Sequence, residues 1–474
     1  MTSLVKPTSI QTLSLGIRNG ELSPIDIVEA CLERIRELNG SLDAFITVLE
    51  TESRESAKKI ENEIKEGKYR GPLHGIPFAI KDVICAQGVR CTAGSKIMSD
   101  FVSQVDATSV ARMKNAGAIL IGTNNTHEFA CGITNVNPHY GSSKNPWNQS
   151  RLSGGSSGGS AVSVSADMVP VSLATDTSGS IRVPSSLCGV VGLKPTYGRV
   201  SKFGIIDLAP SLDHVGCITK SVWDAAAVLQ TIAGQDPLDP SSENRNVPNY
   251  IDIIETKENE LKNLTVGIPK EYFFDYLSPE VEKIFYNFVN TLISMDISSV
   301  TDVHLKEADK IYESWRPLRL GESAEIHQHW LSTRSEEYGD DVRKMLIQGT
   351  KISAIEYIRA QRFRRDLRND FMRLLEDKNV LIMPTTPIAA PTFNEQIIDI
   401  GGKSLQIYQT LSRQTIAFDS TGLPVISIPI GFTKDNLPVG AQIVGLPFAE
   451  EKILSLAYAY ERVNDSFMKF NPPI

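Results

Sequence analysis

Apolar residues recur at helical spacing near the start of the chain: Ile25, Val28, Cys31, Leu32, Ile35 and Leu38 share one face of a helix expected over residues 23–38. Ser23 stands at its N-cap, Pro24 at the first helical position, and Asp26 completes a capping-box pattern. A second helix, over residues 52–66, is highly charged and predicts a solvated face. The pattern then changes. Gly75-Ile-Pro-Phe-Ala-Ile-Lys81-Asp82 is a short apolar run with a charged end and reads as a strand. A helix over residues 106–116 leads into Ala118-Ile-Leu-Ile-Gly122, a run typical of a buried strand. Val169–Thr175 predicts another strand and residues 221–233 a helix, whereas residues 235–249 have the Pro, Asp, Ser and Asn content of a surface loop. Ser278-Pro279 opens a helix carrying Val281, Ile284, Phe285, Phe288, Val289 and Leu292 on one face. Residues 306–377 read as almost wholly helical and strongly charged. Strands follow at Val380–Met383, Val425–Ile430 and Val439–Val444, then a last helix over residues 449–463. This alternation predicts an α/β fold, a mainly parallel or mixed sheet with helices on both faces.

Composition narrows the function classes. With 41% hydrophobic and 22% charged residues the chain is expected to fold and not to be disordered. A net charge of −8 argues against a nucleic-acid partner. The N-terminus has no apolar signal-like core, and no uninterrupted apolar run reaches the roughly 18 residues of a membrane span. A cytoplasmic protein with no membrane partner is expected. Length alone allows one large α/β domain or two to three smaller ones. The six cysteines are scattered with no CxxC pair, which predicts small buried hydrophobes in place of a disulfide framework or zinc site. His327 and His329 are the one close histidine pair and no HExxH accompanies them, so neither metal nor cofactor is expected.

The glycines are unevenly spread. Ser153 to Ser163 reads SGGSSGGSAVS, five serines and four glycines in eleven positions. A P-loop fails because Ser160 stands where a lysine must reach the phosphates. A nucleophile elbow, GxSxG, is met literally by Gly155 to Gly159, but the preceding Asn145-Pro146-Trp147 stretch is loop-like and no downstream histidine has supporting context. A flexible linker fits poorly between two apolar, strand-like flanks. A fourth reading joins three segments: Lys81 at a strand end, Ser156 in the Gly-rich loop, and Ser180 closing Asp176-Thr-Ser-Gly-Ser180.

Five motifs carry a resemblance: GIPFAIKD, SKNPW, SGGSSGGSAV, TDTSGSIRVPSSLCGVVGLKPT and GLPVISIPIGF. In this order the chain resembles the amidase signature family, from the N-terminal helix to the last strands. The separations 156 − 81 = 75 and 180 − 156 = 24 match the family's Ser–cis-Ser–Lys triad. The resemblance implies one domain over residues 1–474, a large mixed sheet sandwiched by helices, a signature core near residues 70–235, and a variable, pocket-forming helical region near 306–377. It also implies an amidase that turns a carboxamide into carboxylate and ammonia or amine. Ser180 is then the nucleophile that forms the acyl-enzyme, Ser156, after a cis peptide bond, the proton relay, and Lys81 the general base. The backbone N–H groups of Thr177, Ser178, Gly179 and Ser180 are expected to form the oxyanion hole, with Ser178 replacing the family's usual glycine. Lys81 must act as a neutral amine, so its pKa has to fall from about 10.4 to about 7, roughly 4–5 kcal/mol of differential destabilisation supplied by burial. Ser157, Ser160, Asp176 and Arg182 are expected to be structural. Cys131, with Gly132, occupies the family position whose main-chain carbonyl contacts substrate nitrogen.

Family members divide into free amidases and the A subunit of the tRNA-dependent amidotransferase, which takes ammonia from glutamine and works with partner subunits, ATP and tRNA. Gly132 to Gly141 resembles the free-amidase version, and Ser412 stands where the amidotransferase's glutamine-binding Asp is expected. Against this, Ala360-Gln-Arg-Phe-Arg364 resembles the stretch that carries the amidotransferase's carboxylate-binding Arg, with Arg364 in the matching place. The expectation is a free amidase with a small-molecule amide substrate and, at family level, a homodimer. The amidotransferase chain, with its partner subunits, is the alternative. Two rivals complete the set: a degenerate, non-catalytic family member, and a Ser-His-Asp esterase built on His214 or His327.

Overall fold

The computed structural model describes residues 8–256, 258–464 and 472–474. Eleven strands form one mixed sheet: β1 (Phe45–Val48), β2 (Pro77–Lys81), β3 (Ile119–Asn124), β4 (Val171–Asp176), β5 (Val191–Lys194), β6 (His214–Thr219), β7 (Thr265–Pro269), β8 (Ser299–Val303), β9 (Val380–Pro384), β10 (Val425–Phe432) and β11 (Pro438–Val444). Their spatial order is β1-β3-β2-β4-β6-β5-β10-β11-β9-β7-β8. The parallel pairs are β3–β2, β2–β4, β9–β7 and β7–β8, and the rest run antiparallel. The sheet joins strands from both ends of the chain, so the fold is a single α/β domain.

Alternation along β2 and β4 decides where the chemistry sits. Phe78, Ile80, Val171 and Leu173 pack into the core on one face. Ala79 and Ala174 pack on the other with Ala161, Val162 and Val164 of the Gly158–Ser165 helix. Lys81, two residues beyond Ala79, therefore shares the side of that helix. Asp82 turns away, as alternation predicts, and its carboxylate accepts from the backbone N–H groups of Thr92 (3.0 Å) and Gly94 (3.2 Å). Because β2 and β4 are parallel, with Ile80 opposite Leu173, Lys81 and the Thr175–Asp176 end of β4 emerge at one edge.

The expected elements are present with small shifts, for example Thr108–Asn115, Val222–Ile232, Pro279–Ser294 and Glu450–Val463. Residues 306–377 fold chiefly as the helices Ile311–Ile326, Gln328–Thr333, Asp340–Gly349 and Ala354–Asp377. One local expectation fails. Ser23 caps Pro24–Leu42, but no capping box forms: its hydroxyl accepts from Ile25 N–H and donates to Glu61 at 2.5 Å, while Asp26 stays exposed. The neighbouring helix supplies a longer carboxylate that reaches the cap, which the short Asp26 side chain does not.

Candidate active site

From Ser153 to Ala166 every residue is buried, so the Ser/Gly segment is interior and not a linker. The Gly155–Ser156 peptide bond is cis. The chain passes so close to its neighbours that a Cβ at Gly155 would lie 2.6 Å from Asn135 N, and one at Gly159 2.5 Å from Ala44 O and from Asn125 N and O. Glycine here is required by space, and it lets the turn present Ser156 to the end of β2.

Lys81 Nζ lies 2.6 Å from Ser156 Oγ and 2.8 Å from Thr175 Oγ1. The side chain is fully buried, and burial pushes its pKa down to about 7 against the opposing pull of Asp176 and Asp213. Ser180 is joined to the same turn through its carbonyl, which accepts from Ser157 N–H at 3.3 Å, and Ser157 Oγ donates to Thr175 O at 3.1 Å. The three residues singled out by spacing are thus drawn from the end of β2, the cis turn and the loop after β4.

That loop is held by a buried ion network. Asp176 accepts from Gly179 N–H (2.5 Å) and Ile181 N–H (3.0 Å), and Arg182 grips it through Nε (3.0 Å) and Nη2 (3.1 Å). Arg182 also reaches Asp419 at 2.6 Å. Burial alone would raise the Asp176 carboxyl, but the charge and hydrogen bonds of Arg182 hold it well below the usual carboxylate range. Asp176 and Arg182 are accordingly structural. The Gly179 N–H, expected in the oxyanion hole, is turned to Asp176; Thr177, Ser178 and Ser180 remain. Thr177 is steadied through its hydroxyl, which donates to Asp213 at 2.5 Å, and Ser178 through its carbonyl, which accepts from Thr415 Oγ1 at 2.6 Å.

Cys131 and Gly132 line a cavity of about 280 Å³. Burial pushes the Cys131 thiol up to about 12, which keeps it protonated and a poor nucleophile. Its carbonyl accepts from Arg319 Nη2 at 3.0 Å, a partner no motif signalled. Arg364 is not brought to this cavity: its guanidinium donates to Ser420 O (2.6 Å), Ser211 O (2.7 Å) and Ser211 Oγ (2.9 Å). Ser412 is buried and donates to Tyr408 O at 2.9 Å. The esterase rival finds no support, because His214 bonds Leu212 O (2.7 Å), His327 bonds Tyr338 OH (2.8 Å), and burial lowers both pKa values. Among the described residues no cluster of three or more His, Cys, Asp or Glu is placed to hold a metal ion, and no helix is long and apolar enough to cross a membrane.

Known proteins resemble the chain in sequence and in fold. The Amidase family model covers residues 26–454. The A subunit of glutamyl-tRNA(Gln) amidotransferase from Sulfurihydrogenibium sp. (strain YO3AOP1) is 36% identical over 485 residues, covering 98% of each chain. Among solved structures, the inhibitor-bound form of a vestigial protein complex that reveals the evolutionary origins of an s-triazine catabolic enzyme superposes with a TM-score of 0.92 at 32% identity, covering 97% of this chain and 99% of that one. The glutamyl-tRNA(Gln) amidotransferase A subunit from Thermotoga maritima gives 0.78 at 33% identity, covering 96% and 95%. The names of the sequence relatives favour the amidotransferase alternative over the free amidase expected from the Gly132 and Ser412 segments. With its fold, its cis turn and its matched length, the chain belongs to the amidase signature family, enzymes that act on amide C–N bonds.

Proposed function

We propose that this chain releases ammonia from a carboxamide through an acyl-enzyme on Ser180. The observation that supports the reading is the buried Lys81 amine 2.6 Å from Ser156 Oγ, with its pKa pushed down to about 7. Ser180 Oγ attacks the amide carbon while its proton passes to Ser156, whose own proton moves to the neutral Lys81 amine. The N–H groups of Thr177, Ser178 and Ser180 stabilise the oxyanion. As the tetrahedral adduct collapses, the C–N bond breaks, Ser156 returns a proton to the departing nitrogen, and ammonia leaves. Water then cleaves the ester by the reverse proton path, giving carboxylate and free Ser180.

Two settings would use this ammonia. The curated relatives support the A subunit of a tRNA-dependent amidotransferase, fed by glutamine and working in the cytoplasm with partner chains. A free amidase, as a homodimer, is favoured by two observations: Ser412 supplies no carboxylate where the amidotransferase's glutamine-binding Asp is expected, and Arg364 is engaged by Ser211 and Ser420. Ammonia release by the purified chain from glutamine, asparagine, acetamide, benzamide, indole-3-acetamide and biuret, with and without partner subunits, ATP and tRNA, separates them. Glutamine turnover that needs the partners identifies the amidotransferase chain; turnover of another amide by the chain alone identifies the free amidase. Ser180→Ala should lower either activity by at least about 10⁴-fold with the fold intact. Undiminished turnover in that variant rules out the acyl-enzyme.

A further inference from the structure

Arg319 lines the cavity, and the triad chemistry does not explain its position. It lies in the Ile311–Ile326 helix at 2% exposure. Its Nη2 donates to Cys131 O, its Nη1 lies against Met345 Sδ, and its Nε is buried without a hydrogen-bond partner. The guanidinium sits 5.7 Å from the Trp315 ring and 5.4 Å from the Tyr408 ring. Among the described residues no carboxylate forms an ion pair with it. Of the other charged groups lining the cavity, Arg316 is directed to Gln348 (3.0 Å), and Asp341 pairs with His127 Nε2 (2.9 Å). A guanidinium taken out of water without a counter-charge is costly, and the cost falls away when a ligand supplies the anion.

The location fits that role. Tyr408 lines the cavity, and its carbonyl accepts from Ser412 Oγ; Thr415 Oγ1 in turn bridges the carbonyls of Ser412 and of Ser178, in the loop that carries the nucleophile. Cys131, the other partner of Arg319, is followed by Gly132 and Ile133, which form the adjoining wall. The Nε and Nη2 edge of a guanidinium is a fork that matches a carboxylate with two parallel hydrogen bonds. A volume of about 280 Å³ suits a small ligand.

We propose that Arg319 is a specificity residue that recognises a carboxylate on the amide substrate, so that this chain prefers small amides bearing an anionic group. The proposal rests on the amide-hydrolase reading and names its substrate class. Ammonia release from succinamate and from its neutral counterpart succinamide tests it on the full chain. Wild type should favour succinamate by about tenfold or more in kcat/KM, the scale of one charge-assisted hydrogen bond. Arg319→Gln should bring the ratio near one, chiefly through KM, and Arg319→Lys should restore part of it. Arg364→Gln should leave the ratio high. Equal or better use of succinamide by wild type overturns the proposal, as does loss of the preference in Arg364→Gln in place of Arg319→Gln. If neither amide is turned over, the hydrolase reading is in question and the anion site is read separately by calorimetry of succinate with the Ser180→Ala chain. Saturable binding that disappears on adding Arg319→Gln supports the carboxylate site; absence of binding, or binding that the second substitution leaves unchanged, overturns it.

Discussion

Two unlike regions meet around the candidate site. On one side lie the cis turn and the β4 loop, where the Gly158–Ser165 and Arg182–Cys188 helices bury every residue. On the other lies the helical region over residues 311–377. Its Ala354–Asp377 helix buries only Ala360, Leu367, Phe371 and Leu375 of 24 residues, and Asp340–Gly349 only Val342, Leu346 and Gly349 of ten. In the first region a side chain cannot change without moving backbone. In the second most positions face water, and a few inward side chains such as Trp315 and Arg319 shape the cavity. Under the proposed function the contrast teaches a division of labour: the reaction would be built into close-packed backbone, and substrate choice would rest on replaceable side chains of the helical wall.

The largest test of this division is Lys81→Met in the interior. Removing the base should lower kcat/KM by about 10²–10⁴-fold. Wild-type kcat/KM should rise with pH through about 7, where the buried amine loses its proton, and the variant should lack that limb. The substitution should change stability in the direction opposite to activity. The folded pKa is depressed, so the unfolded chain binds more protons between about pH 7 and the ordinary lysine value, and wild-type stability rises with pH across that window. Below about pH 7 the full cost of charging the buried lysine is present, and Lys81→Met, which never bears it, should unfold at higher denaturant than wild type. A pH–rate profile and urea midpoints at several pH values read both effects. An unchanged acid limb in the variant would assign the base elsewhere.

The interior is also the more legible region. Lys81, Ser156 and Ser180 lie in segments whose identity is local: an apolar run, a Gly-rich turn and a short Thr/Ser loop. Strand alternation alone places Lys81 and Asp82 on opposite faces. What stays hidden depends on long-range contact. Arg319 meets Cys131 across 188 positions, and Arg182 meets Asp419 across 237. Nothing in helical periodicity marks one arginine of a charged segment as inward-facing, and the Gln328–Thr333 helix and its neighbours read alike. Gly179 shows the same limit at short range. Its N–H reads as an oxyanion donor, yet Asp176, locked by Arg182, claims it. Strands β5 and β6 give no local signal; they take their places by pairing with each other and with β10 and β4.

A matched pair of glycines sharpens the comparison. Gly159→Ala would set a Cβ 2.5 Å from backbone atoms of Ala44 and Asn125, neither of which is the end of a flexible side chain. Relief requires shifting the backbone that flanks β1 and β3 or the Gly158–Ser165 helix that follows the Ser156 turn. The expected cost is about 3 kcal/mol or more of stability, with activity lost alongside. Urea unfolding measures the first and ammonia release the second. Wild-type stability in this variant would show that the interior tolerates backbone adjustment after all.

Gly321 is the counterpart in the helical wall, and it carries the smallest expected effect. It sits within the Ile311–Ile326 helix, and a Cβ there meets nothing nearer than Tyr357 Cδ2 at 3.5 Å, an ordinary van der Waals contact. No backbone clash opposes the substitution, while alanine removes the entropy that glycine loses on entering a helix. Gly321→Ala should therefore stabilise the protein by about 0.5–1 kcal/mol, seen as a higher urea midpoint with unchanged slope. Because Gly321 does not line the cavity, the ratio of succinamate to succinamide turnover should not move. A loss of stability would mean that this helix is packed as tightly as the cis turn, and the contrast between the two regions would fail at the wall.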